Sequence, residues 1–197
     1  MDTGIGATNA SSAEPGKRRR LRLGRALFCT VIAFTSLTAY GQQPGASAYQ
    51  IEAVYLYDFS KFVEWPTNGA GSRNEPFSIC VLGEDPFGAL LDATLSGESI
   101  QGSTLVAKRI SKPEDAADCK IVFVSNSEQN RLKEILTAFD GANILTVSDI
   151  RDFSQRGGMI QFVVDGGKVR FEVNVKNAEN AGLTLSSDLL EVALAVR

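Results

Sequence analysis

The chain has 197 residues and a formal net charge of −3, a length that allows one domain plus an extension at roughly 150 residues per domain. A hydrophobic fraction of 44% with 22% charged residues supports a packed core and excludes wholesale disorder. There is no histidine, which excludes Ser-His-Asp and Cys-His catalytic sets, the HExxH zinc motif and any His-ligated metal, and the acidic balance gives no electrostatic basis for binding nucleic acid.

Charge is unevenly distributed. Lys17, Arg18, Arg19, Arg20, Arg22 and Arg25 are 6 of the 20 basic residues. From Tyr49 onward 14 basic residues face 21 acidic ones, a net charge of −7. The basic run is followed by an apolar stretch, Ala26–Ala39, shorter than the about 20 residues that span a bilayer. This order reads as a secretory signal peptide. Small-x-small patterns at Ala39-Tyr40-Gly41 and Ala46-Ser47-Ala48 offer two cleavage points, and an uncleaved N-terminal anchor is the rival reading. Cys29 follows Phe28, which is wrong for lipoprotein processing. The expected organisation is a leader over residues 1–48 and one domain over 49–197, exported into an oxidising envelope, with no membrane insertion once the leader is removed.

In the domain, Ile51, Val54, Tyr55, Phe59, Phe62 and Val63 share one face of a 3.6-residue period and predict a helix over 49–65, ended by Pro66. Asn68–Glu75 reads as a loop. Phe77–Leu82 predicts a buried strand. Gly83-Glu84-Asp85-Pro86 then leads into a helix over 87–95 with Asp85 as its N-cap. The GEDPFG stretch from Gly83 to Gly88 resembles the start of a phosphate loop, but Ala89 and Leu90 stand where lysine and a hydroxyl would be needed. Strands are predicted over 105–110, 120–124 and 144–147. Ser111 and Glu114, then Ser125 and Glu128, have capping-box spacing, the second pair opening a helix to Phe139. A short helix is expected around Asp149–Phe153. Met159–Val164 and Lys168–Val175 predict a hairpin joined through Asp165-Gly166-Gly167. A brief turn at Ala178–Ala181 and a helix over 187–196 complete the chain. Strands alternating with helices, then a hairpin, define an α/β class: a single domain with a mixed β-sheet flanked by helices and a C-terminal hairpin and helix.

Once Cys29 leaves with the leader, Cys80 and Cys119 remain. In an oxidising compartment two cysteines suggest one disulfide, the alternative being two buried thiols. They are not a CxxC pair and, without histidine, do not complete a metal site. Asp58 lies on the apolar stripe of the first helix, and a polar group satisfied at a helix–sheet junction explains it better than a catalytic carboxylate. The serines lack a base, and no SxxK motif occurs. The hairpin has an apolar face that is either a docking surface or buried under helices.

Long phrases are similar to the YfiR family of periplasmic proteins: YQIEAVYLYDFSKFVEWP at 49–66, FSICVLGEDPFG at 77–88, CKIVFVSNSE at 119–128, ILTVSDIRDF at 144–153, GGMIQFV at 157–163, VRFEVN at 169–174 and AGLTLSSDLL at 181–190. They occur in the family's order and cover nearly all of 49–197. The resemblance implies a mixed sheet flanked by helices and dimers in some members. It also implies a soluble repressor that binds the periplasmic sensor domain of an inner-membrane diguanylate cyclase, lowering cyclic di-GMP and restraining biofilm formation. Cys80 and Cys119 match a family pair that forms a disulfide. A second, more C-terminal family pair has no counterpart, because the matching region near Ser154 and Gln161 carries no cysteine. Ile160 and Glu172 match the partner-contact region. The expected function is therefore negative regulation by binding a diguanylate cyclase or other membrane sensor, with a homodimer as one possible state and with no catalysis, cofactor, metal or nucleic acid. The alternatives are a small-ligand sensor of the same fold and a carboxylate-based envelope hydrolase.

Overall fold

In the computed structural model, residues 44–66 and 75–197 are described. The expected leader up to residue 43, Cys29, and the predicted loop up to residue 74 lie outside the described residues.

Helix α1 (Pro44–Phe62) runs directly into a two-residue strand, β1 (Val63–Glu64). The helix therefore ends before Pro66, because Val63 and Glu64 pair antiparallel with β9 (Thr184–Leu185). Strand β2 (Phe77–Leu82) is buried along its whole length. Asp85 does not cap the following helix: its Oδ1 accepts a hydrogen bond from the Phe87 amide at 2.8 Å, and α2 (Ala89–Leu95) begins after Gly88. Strands β3 (Ser99–Ile100) and β4 (Ser103–Ile110) form an antiparallel pair. A 3-10 turn over Pro113–Ala116, without a side-chain cap from Ser111, leads to β5 (Cys119–Val124). The helix expected after Ser125 is divided into a 3-10 segment, Asn126–Arg131, and α3 (Leu132–Ala138). Ser125 caps the first of these, accepting from the Ser127 amide.

Next come β6 (Leu145–Ser148), β7 (Ile160–Asp165) and β8 (Lys168–Val173). In the β7–β8 turn Gly166 and Gly167 both have positive φ, 55° and 76°, the conformation a two-residue hairpin turn requires. Asn174 interrupts the predicted continuation of β8 by capping α4 (Val175–Asn180) through the Asn177 amide. The final predicted helix is likewise divided. Helix α5 (Ser187–Val192), capped by Ser186, is followed by β10 (Ala195–Val196), which pairs parallel to β8.

The main sheet has eight strands in the order β10-β8-β7-β6-β5-β2-β4-β3. Its centre, β4-β2-β5-β6-β7, is parallel, and the β7–β8 hairpin is antiparallel. This is one mixed α/β domain, as the alternation of elements predicted. Parallel strands buried on both faces read as unbroken apolar runs. In β2 and β5 successive residues enter opposite cores. Ile79, Val81, Ile121 and Phe123 join the core containing Phe59, Phe162 and Phe171, while Cys80, Leu82, Val122 and Val124 join that of Leu132, Ile135 and Phe153. The Cys80–Cys119 disulfide lies in the second core, with its Cα atoms 5.9 Å apart, and links the adjacent strands β2 and β5.

Helix α1 packs in a different rotation from the predicted one. Its buried face carries Glu52, Ala53, Leu56, Phe59 and Ser60, while Ile51, Val54 and Phe62 are 44%, 47% and 37% exposed. Apolar residues occur nearly all around this helix, so periodicity alone does not select a face. Packing selects it: Phe59 lies 5.3 Å from Phe171 and 5.9 Å from Phe162, ring centre to ring centre.

Candidate functional site

Register within the hairpin determines which predicted contact residues meet. Ile160 pairs with Val173, and Gln161 pairs with Glu172. Side chains alternate across a sheet, so Ile160 and Glu172 lie on opposite faces and the structure does not bring them together. Ile160 has no exposed surface and belongs to the Phe59 core. β6 and β8 flank its strand, so it can influence a partner only by supporting its neighbours.

Glu172 is the centre of a polar cluster. Its Oε2 accepts from Ser154 Oγ at 3.0 Å and from the Arg197 guanidinium. Arg197 also donates to Ser154 Oγ at 3.0 Å. Ser154 is fully buried, and its amide donates to Gln161 Oε1 at 3.1 Å. Asn174 Nδ2 donates to the Ser154 carbonyl at 2.8 Å. These bonds hold the segment between β6 and β7 against the hairpin. Gly158 permits that fold, since a Cβ there would sit 2.0 Å from the Phe153 ring. Beside the cluster, Val192, Leu194 and Val196 are 58%, 41% and 50% exposed, and β10 places Ala195 opposite Glu172. A half-buried, paired carboxylate and an exposed apolar margin therefore lie side by side at this edge of the sheet.

A second cluster was not legible in the sequence. Tyr49 and Glu52 on α1 meet Asp149, which directly follows β6. The Tyr49 hydroxyl donates to Asp149 Oδ2 at 2.9 Å. Glu52 is only 4% exposed, and Glu52 Oε2 and Asp149 Oδ1 have no hydrogen-bond partner among the described residues. Burial, with a smaller contribution from the Asp149 charge, pushes the Glu52 carboxyl up to about 8. Burial also raises Asp149, against the lowering effect of the Tyr49 hydrogen bond. The Tyr49 hydroxyl is raised by burial first and by Asp149 second. The buried Glu52 carboxyl is therefore held protonated through neutral pH, while the half-buried Asp149 accepts the Tyr49 hydrogen bond. Asp58, the carboxylate singled out in the sequence, instead pairs with Lys61 at 3.0 Å on the helix surface. Among the described residues, no group of three or more Cys, Asp or Glu side chains could hold a metal ion.

With this geometry in view, comparison with known families is decisive. The family model described as YfiR/HmsC-like matches residues 49–194. The chain belongs to the YfiR/HmsC-like family. The match covers the Tyr49–Glu52–Asp149 cluster, the Glu172 cluster apart from Arg197, the disulfide and every strand of the main sheet except β10. Among solved structures, a conserved domain protein from Vibrio cholerae O1 biovar El Tor is similar with a TM-score of 0.53 and 14% identity. An ABC domain in complex with L-Trp from Streptococcus pneumonia follows with a TM-score of 0.50 and 13% identity. Each alignment covers 76% of this chain and 60% of the other. At such identities the likeness is one of fold: the YfiR/HmsC-like chain shares its α/β architecture with both.

Proposed function

We propose that this domain is a periplasmic negative regulator that grips the periplasmic sensor domain of an inner-membrane diguanylate cyclase and keeps it inactive. The carrying observation is membership of the YfiR/HmsC-like family over residues 49–194, a family of regulators rather than catalysts. Inhibition by binding requires only a higher affinity for the inactive state of the receptor. Glu172, half-buried and tied to Ser154 and Arg197, is the proposed recognition point. Ile160 supports it from beneath the sheet. Removal of residues 1–48 as a leader and a homodimer belong to the same reading. No described helix is long and apolar enough to cross a membrane, which accords with a domain that acts beside one.

The test is capture of the cyclase sensor domain by purified wild-type protein and by Glu172→Lys. Reversing this charge sets a second cation beside Arg197, and a disrupted charge pair at an interface weakens binding by about 2 kcal/mol or more, some thirtyfold. Equal capture by both proteins, with unchanged far-ultraviolet circular dichroism, would remove Glu172 from the interface.

A further inference from the structure

Strand β7 begins late against its parallel neighbour. Only Val147 and Ser148 of β6 find register partners on β7, at Ile160 and Gln161. The first half of β6 is left with a notch on that side, partly closed where Thr146 Oγ1 accepts from the Met159 amide at 3.2 Å. The notch opens into a cavity of about 290 Å³ between α3, α4 and the segment preceding β7. Its volume is near the lower limit of small-molecule sites.

The lining divides by chemistry. Phe139 and Met159, both buried, supply its apolar lining. Lys133, Arg156 and Asn180 supply polar lining. Among the described residues Lys133 has no ion pair, and the Arg156 guanidinium donates only to the Gln129 carbonyl, at 3.3 Å. Among those residues Asp140 is the one carboxylate on the lining, so the cavity carries one net positive charge. The carbonyl of Gly157 at its rim is held by Asn177 Nδ2 at 2.8 Å, which leaves the guanidinium of the preceding residue on an anchored stretch of backbone.

We propose that this cavity is a binding site for a small amphipathic monocarboxylate. The carboxylate would engage Arg156 and Lys133, and a compact apolar body, an aryl or short alkyl group, would rest on Phe139 and Met159. A neutral molecule leaves both cations unpaired, and a dianion exceeds the charge available. The proposal stands on the cavity alone and is independent of the partner reading.

The test uses the purified protein, labelled with nitrogen-15 and titrated with 3-phenylpropanoate and hexanoate up to millimolar concentration. The neutral 3-phenylpropanamide is the control. Saturable shifts of the Gly141, Gly157 and Met159 amides are expected with both carboxylates. Binding of the amide should be about tenfold weaker, the loss of one charge-assisted hydrogen bond. Lys133→Gln and Arg156→Gln, both on the surface and checked for an unchanged spectrum elsewhere, should each weaken binding by about the same factor. No saturable shift with either carboxylate, equal binding of the amide, or full binding by the double variant would each overturn the proposal.

Discussion

Replacing Glu52 by glutamine should stabilise the protein at neutral pH and flatten its pH dependence. In the unfolded chain this carboxyl ionises at its ordinary value of 4.5, whereas in the folded protein burial and Asp149 hold it protonated up to about 8. The groups facing it are Tyr49 and Asp149, and neither supplies a positive charge. A raised carboxyl pKa means the folded state binds more protons than the unfolded state between 4.5 and 8. Stability is therefore fully present below 4.5, falls by about 1.4 kcal/mol per pH unit through that window, and levels off above 8. At pH 7 the accumulated cost is about 3 kcal/mol, a large part of a typical domain's stability. Glutamine preserves the shape and does not titrate. Urea denaturation of both proteins from about pH 5 to about pH 8.5, which brackets most of the titration, should give curves whose separation in favour of Glu52→Gln widens with pH. Curves that stay parallel across this range would refute the reasoning and place Glu52 in contact with solvent or a cation.

The remaining predictions concern other parts of the fold. Reduction of the Cys80–Cys119 bond, or its replacement by two serines, should cost about 4 kcal/mol for a loop of 39 residues, read as a lowered urea midpoint; an unchanged midpoint would show that the bond contributes no stability. Gly158→Ala forces a methyl into the Phe153 ring and should destabilise by about 1–3 kcal/mol; a calorimetric melting point equal to wild type would show that the ring moves aside freely. Because Arg156 and Ser154 lie on one short segment, a carboxylate bound in the cavity should alter capture of the cyclase sensor domain; identical capture with and without saturating 3-phenylpropanoate would separate the two sites.

What the sequence disclosed follows the strength of the local signals. β2 and β5 were legible because a strand buried on both faces leaves an apolar run bounded by turn residues. The hairpin was legible from its glycine turn, but its register was not: the expected three-residue link puts Val164 opposite Lys168, whereas Asp165 takes that place and Gln161 thereby pairs with Glu172. The strands β1, β3, β9 and β10 have two residues each, too few for any periodicity, and exist only because a partner strand passes beside them. The same holds for the Tyr49–Glu52–Asp149 cluster. Glu52 resembles a surface residue of α1 until packing of Phe59 against Phe162 and Phe171 turns it inward. Local preference and tertiary packing conflict at that position, and such conflicts concentrate where a fold does something other than hold itself together.

Two kinds of cross-link then divide the domain mechanically. The central strands β2 and β5 are joined by a covalent bond and by their place in the middle of the sheet, so their separation requires global unfolding. The segment between β6 and β7 sits where the family resemblance places a second cysteine pair, yet here Ser154 and Gln161 meet through hydrogen bonds of 3.1 and 3.3 Å. Each such bond contributes about 1 kcal/mol and adds to the anchor of Ile150 and Phe153, both fully buried in the second core. Redox chemistry can act on Cys80 and Cys119 but has no purchase on Ser154 and Gln161. A thiol–disulfide switch therefore has no cysteine to act on beside the proposed Glu172 contact, and the cavity of about 290 Å³ and the Glu52–Asp149 pair both border the same stretch, which begins at Asp149 and ends at Met159.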